Sequence, residues 1–265
     1  PRNFDFELNR VGAINTVRYY TVTAWSWNFN NIGSYGANVY MRAATLLETL
    51  ERLLGEPVWS RIMRTYHMRC RFKHPTKSDF VAVVNEVSGR DMTWFFDELL
   101  EGTEVFDYGI ASVSSAKVPL RRRGVYDADG ARTEWTGKKI AELEKAGADA
   151  PGGPPQAAYR TTVVLRRFGE ARLGGDALVE VLVRFKDGTT ETRSWNGQAR
   201  WARLEFVKPV EVASAEIDPA GVWLIDENLA NNSRGADGLR RNVVKMISQH
   251  LFLLQNLFQF IGSWI

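Results

Sequence analysis

Between Ser34 and Gly55 the sequence SYGANVYMRAATLLETLERLLG sets Val39, Tyr40, Ala43, Leu46, Leu47, Leu50, Leu53 and Leu54 three and four residues apart, the period that lines one face of an amphipathic helix. Gly55 can adopt the left-handed conformation that ends such a helix, and Pro57 cannot continue the same ladder. That stripe has to be covered, and the next stretches supply the cover. Val58, Trp59, Ile62, Met63, Tyr66 and Cys70 repeat the helical period. Thr76 with Asp79 three residues on forms a helix start, followed by Phe80, Val83, Val84 and Val87 up to Gly89. Asp91 can cap a fourth helix bearing Trp94, Phe95, Leu99 and Leu100 and ending at Gly102. The expected result is an antiparallel helical array with short connections.

The text on either side is different. Residues 1–30 read as an extended or partly helical lead-in, with Trp25, Trp27 and Phe29 alternating as on one face of a strand; such residues line a peptide cleft or, more commonly, pack. Residues 103–136 are turn-broken and contain the hairpin VYDADGARTEW around Asp129-Gly130, followed by a charged helical scrap, KKIAELEKA, and the Gly/Pro-rich stretch GADAPGGPPQAA. From Tyr159 onward alternation takes over. YRTTVVLRRF, ALVEVLVRFK, TTETRSW, RLEFV, VEVASAEI and VWLID read as strands separated by turns such as Asp187-Gly188 and Asn196-Gly197. The fold class is therefore α+β: a helical array over 1–110, a hairpin and linker over 111–158, an antiparallel β-sandwich over 159–232, and an amphipathic C-terminal helix over 233–265.

Charge and composition narrow the function. With 34 basic and 31 acidic residues the net charge of +3 does not argue for a nucleic-acid partner, and clusters such as Arg166-Arg167 read as solubilising charge at strand ends. Cys70 is the single cysteine, which excludes an internal disulfide and a cysteine-based zinc site. His67, His74 and His250 form no H-E-x-x-H motif, so no zinc site is expected in this chain. There is no G-x-S-x-G elbow, and FGEARLGGD lacks the Lys-Ser/Thr of a phosphate-binding loop. The chain opens at Pro1 without an initiator Met or a signal-like stretch and reads as a piece of a longer protein.

VYMRAATLLETLERLLGEPVW resembles the segment that follows the zinc motif in the membrane alanyl aminopeptidase family, the gluzincin aminopeptidases. There a Tyr followed by Glu-Lys-Gly opens a helix that runs to a Leu-Leu-Gly stop. Counting back fifteen residues from Gly55, the matching position is Tyr40, with Met41, Arg42 and Ala43 where Glu, Lys and Gly are usual. The likeness extends through RIMRTYHMRCRFKHPTKSDFVAVVNEVSGRDMTWFFDELLEG, and AEIDPAGVWLIDENLANNS resembles the end of the sandwich domain that follows the catalytic helices. It implies a peptide substrate and a zinc cofactor in the parent protein, with Tyr40 as the donor that stabilises the oxyanion and Tyr35 as a second cleft tyrosine. It also implies that the chain alone is inactive. Burial statistics by themselves place Tyr40 in the core or at its rim.

A reading of another class stands beside it: a noncatalytic scaffold, derived from a peptidase fold, that binds a protein or membrane surface. The tail favours some such contact. After LRRNVVK, Ile247, Leu251, Leu254, Phe258, Ile261 and Ile265 form one helical stripe opposite Gln249, Gln255, Asn256 and Gln259. Residues 243–265 thus suit either a membrane interface or docking on the chain's own domain or a second copy. Compartment is left open.

Overall fold

In the computed structural model the described residues are 4–118, 124–128, 131–146 and 158–237, with 244, 247–252, 254, 255 and 258 in the tail. Helix α1 (Phe4–Thr16) runs through the lead-in. Trp25, Trp27 and Phe29 do not form a strand: a 3₁₀ turn (Ser26–Asn28) brings Trp25 and Trp27 face to face at 4.9 Å, both well exposed. Two large rings gain more by stacking on each other than by alternating across an edge with no partner strand.

The stretch 32–54 is helical throughout, but in three parts: α2 (Ile32–Gly36), a π turn (Ala37–Arg42) and α3 (Ala43–Leu54). Asn31 caps it, its Oδ1 accepting from Ser34 N at 2.9 Å. Gly55 ends it at φ 83°, and Pro57 sits in the first turn of α4 (Glu56–Cys70), where its missing N–H costs nothing. In α5 (Lys77–Ser88) the Asp79 carboxylate accepts from both Thr76 N and Thr76 Oγ1 at 2.7 Å, and Gly89 closes the helix at φ 68°. Asp91 Oδ1 accepts from Thr93 N at 3.0 Å at the start of α6 (Thr93–Phe95), which continues as a second π turn (Phe96–Leu100).

The strands form two main antiparallel sheets. One has the order β1 (Tyr108–Val118), β4 (Ala158–Arg167), β7 (Trp201–Lys208). The other has β6 (Thr190–Trp195), β5 (Val179–Phe185), β8 (Val212–Ile217), β9 (Ser233–Gly235). A separate hairpin pairs β2 (Gly124–Ala128) with β3 (Ala131–Trp135), and α7 (Gly137–Ala146) takes the charged scrap. The Asp129-Gly130 turn, most of the Gly/Pro-rich stretch and much of the tail lie outside the described residues. The two sheets face each other through Val163 and Leu165 on one side and Val179, Val181, Val183 and Phe185 on the other. Ser115 Oγ joins them, hydrogen-bonded to Thr161 Oγ1 at 2.8 Å and accepting from Val212 N at 3.0 Å.

Three local readings are corrected here. β1, from the stretch read as hairpin and linker, is hydrogen-bonded along its length to β4 and belongs to the sandwich. VWLID is not a strand: Asp218 takes the N–H groups of Val222 and Trp223 at 2.8 and 2.9 Å, and Arg10 takes the carbonyl of Leu224 at 3.0 Å, so side chains use the groups a ladder would need. Arg167 is buried rather than solubilising, donating to the carbonyls of Gly169 (3.0 Å) and Glu170 (2.8 Å), while Arg166 lies over the Phe168 ring.

Helices and sandwich share one core, which runs from Leu46, Ile62 and Val84 through Phe95 and Phe106 to Val181 and Ile217. Trp223 stacks on Phe106 at 5.0 Å and meets Trp94 at 6.5 Å. Arg18–Glu227 and Arg90–Asp176 pair across the same junction.

Candidate functional site

The first π turn decides what Tyr40 does. The buried side of 37–50 carries Asn38, Arg42, Thr45, Leu46, Thr49 and Leu50, so the inner face mixes polar and apolar residues where the sequence pattern expects an apolar stripe. Thr45 and Thr49 return their hydroxyls to Met41 O and Thr45 O at 2.8 Å, which lets them be buried without an unpaired oxygen. Met41 enters a gap left by Gly12, where any side chain on α1 would collide with its sulfur. Tyr40 is carried outward and is 65% exposed.

The same turn joins the two candidate tyrosines. In an unbroken α-helix residues five apart stand about 140° apart around the axis, whereas a π turn closes its hydrogen bond on residue i+5. Tyr35 and Tyr40 accordingly meet edge to face, ring centroids 5.9 Å apart. Phe29 backs Tyr35 at 5.4 Å and Tyr20 backs Phe29 at 4.7 Å, which makes an aromatic ladder with Tyr40 at its outer end. The Tyr40 phenol raises the Tyr35 pKa, first by hydrogen bonding and then by its charge.

Arg42, noted in the sequence only as a basic position, is the bolt beneath this segment. Its guanidinium donates to the carbonyls of Tyr20, Leu99 and Gly102, each at 2.8 Å, and so ties the Tyr20 loop and the end of the second π turn to the helix that carries Tyr40. Burial lowers its pKa to about 10, against the opposing charge of Glu104, so it stays a cation at neutral pH. Asn38, fully buried on the same turn, leaves both amide atoms without a hydrogen-bond partner. Both a π turn and an orphan buried amide are costly local features that collect at functional positions.

A second constellation lies in DENLANN, where the sequence shows closely spaced Asp and Asn with no stated role. Asp226 is wholly buried; its carboxylate accepts from Asn228 N at 2.9 Å and Tyr108 N at 3.3 Å. Burial, then the charge of Asp107, raises its pKa to about 8. The Asn232 carboxamide fits best with its nitrogen donating to Tyr108 O (3.2 Å), Asn228 O (3.1 Å) and Asn231 Oδ1 (3.0 Å). Its oxygen then stands 3.4 Å from Asp226 Oδ2, positioned to accept the proton that Asp226 retains. Asp107, raised by burial against the hydrogen bond it accepts from Asn231 Nδ2 at 2.7 Å, completes the cluster. These groups satisfy one another and lock the end of the sandwich to the junction.

The described residues do not fit zinc. His67 lies on α4, His74 on the exposed loop after it and His250 in the tail, and among the described residues no three His, Cys, Asp or Glu side chains converge on a point that could hold a metal ion.

No known family profile and no curated protein sequence matches the chain. Among solved structures, the crystal structure of Legionella pneumophila aminopeptidase A in complex with aspartic acid overlaps 73% of the chain at 8% identity with a TM-score of 0.41; the chain spans 18% of that protein's length.

Proposed function

We propose that this chain is the C-terminal part of a zinc-dependent aminopeptidase-like protein and supplies Tyr40 as the hydrogen-bond donor to the oxyanion formed on the substrate's peptide carbonyl. The observation that carries this reading is the π turn. It turns a tyrosine away from the buried side that carries Asn38, Arg42 and Leu46 and sets it at the end of an aromatic ladder, at the position the sequence resemblance selects. A phenol suits the task because it keeps its proton near neutral pH. Tyr35 stands edge to face with Tyr40, ring centroids 5.9 Å apart, and flanks it in the same ladder. The metal and its ligands are assigned to the rest of the parent protein, since the residues described here do not fit them.

The test uses the full-length parent protein. Tyr40→Phe is expected to lower kcat by about two to three orders of magnitude, the usual cost of one oxyanion donor, with zinc content unchanged. The chain of residues 1–265 supplied with zinc is expected to leave aminoacyl-nitroanilides intact. A Phe variant with wild-type kcat, or a parent without H-E-x-x-H, defeats the reading.

The scaffold alternative has two observations in its favour. Where the resembled family has Glu, Met41 is spent on packing against Gly12, and where it has Lys, Arg42 is spent on bolting two loops. Under that reading the exposed Trp25, Trp27 and Tyr40 face a protein partner, and Tyr40→Phe changes no turnover.

A further inference from the structure

Among the described residues, the large apolar side chains of the tail lie exposed. Its described positions 244, 247–252, 254, 255 and 258 are helical. Ile247, Leu251, Leu254 and Phe258, spaced four, three and four apart, fall on one stripe and are 55, 61, 48 and 68% exposed. Among the described residues no helix is long and apolar enough to cross a membrane. The charge is as one-sided as the apolar stripe: all 31 acidic residues of the chain precede position 238, whereas Arg240, Arg241 and Lys245 open the tail. A second copy laid parallel to the first would bring two sets of cations together, and in either direction a second copy offers the cations no anionic partner within the tail. A bilayer bearing anionic headgroups matches both the stripe and the charge.

We propose that the tail helix lies in the interface of an anionic lipid bilayer, its Ile247/Leu251/Leu254/Phe258 stripe among the upper acyl chains, with the positive charge that Arg240, Arg241 and Lys245 give this end of the sequence attracting it to the headgroup phosphates. This holds whether or not the parent protein is a peptidase.

The experiment is co-sedimentation of the intact 1–265 chain with vesicles of phosphatidylcholine alone and of phosphatidylcholine containing phosphatidylglycerol. Binding is expected to the anionic vesicles and to weaken with salt. Replacing the three cations together (Arg240→Gln, Arg241→Gln, Lys245→Gln) should weaken it on the order of a hundredfold. The pair Leu251→Asp and Phe258→Asp should abolish it on both vesicle types. Because Leu251 and Phe258 are exposed, an unchanged circular dichroism spectrum checks that the body of the protein is intact. The proposal is overturned if the wild-type chain binds neither vesicle, if it binds equally with and without the substitutions, or if it instead forms a dimer in solution that Leu251→Asp dissolves.

Discussion

Asp226→Asn is the perturbation whose effect can be worked out most fully. The folded protein holds the Asp226 proton to about pH 8, while an unfolded chain releases it near the ordinary carboxylate value of 3.8. Between those limits folding takes up a proton, so stability is highest at the acid end, declines as pH rises, and levels off above about 8. Most other shifted carboxylates run the opposite way: Asp79, Glu86, Asp91, Glu170, Asp176, Asp187 and Glu191 are held low by hydrogen bonds from Thr76, Arg69, Thr93, Arg200, Arg90, Thr189 and Lys208. Their titration is complete by about pH 5.5, so the window from there to about pH 8.5 isolates the buried acid. Within that window roughly 2.5 pH units at 1.36 kcal/mol each amount to about 3 kcal/mol of stability lost by the wild-type chain, shared with Asp107 because the two charges interact. An asparagine keeps the shape and can donate to Asn232 Oδ1, but its nitrogen cannot accept from Tyr108 N as Asp226 Oδ2 does, so the variant should lie below the wild type near pH 5.5 and lack the wild type's fall in stability towards pH 8.5. Urea unfolding followed by circular dichroism at the two pH values measures this. A wild-type midpoint that is flat or rises with pH, or an Asn variant with the wild-type slope, would refute the assignment of a retained proton to Asp226.

Two further outcomes follow from packing. Arg42→Met should destabilise the chain by about 3 kcal/mol or more, since three carbonyls lose a charged donor at once, and should loosen the Tyr20 loop; amide exchange at Val22, which bonds to Leu100 O, reads the second effect. Gly174→Ala would place a methyl 2.6 Å from Trp94 Cβ and 2.7 Å from its Cδ2, so Trp94 must shift; a loss of about 1–3 kcal/mol with altered tryptophan fluorescence is expected, and an unchanged urea midpoint would show that the junction is not packed as described.

Much of this protein is local and was legible in the sequence. Gly55 and Gly89 stop helices because glycine alone reaches their positive φ without strain, Thr76 and Asp79 close a cap within one turn, and Asp187-Gly188 and Asn196-Gly197 turn strands through contacts a few residues long. The α+β class follows from the change of hydrophobic period along the chain. What tertiary structure decided involves partners far apart in sequence or the removal of water. β1 finds β4 some fifty residues on, and the VWLID segment is kept from a ladder by Arg10, more than two hundred residues away. Apolar spacing put Tyr40 on the buried face; the π turn, with Arg42 held by three carbonyls and Met41 seated on Gly12, put it outside and beside Tyr35. The proton on Asp226 belongs to neither its sequence nor its turn. It is set by complete desolvation beside Asp107, which exists only once sandwich and helices have closed on one another.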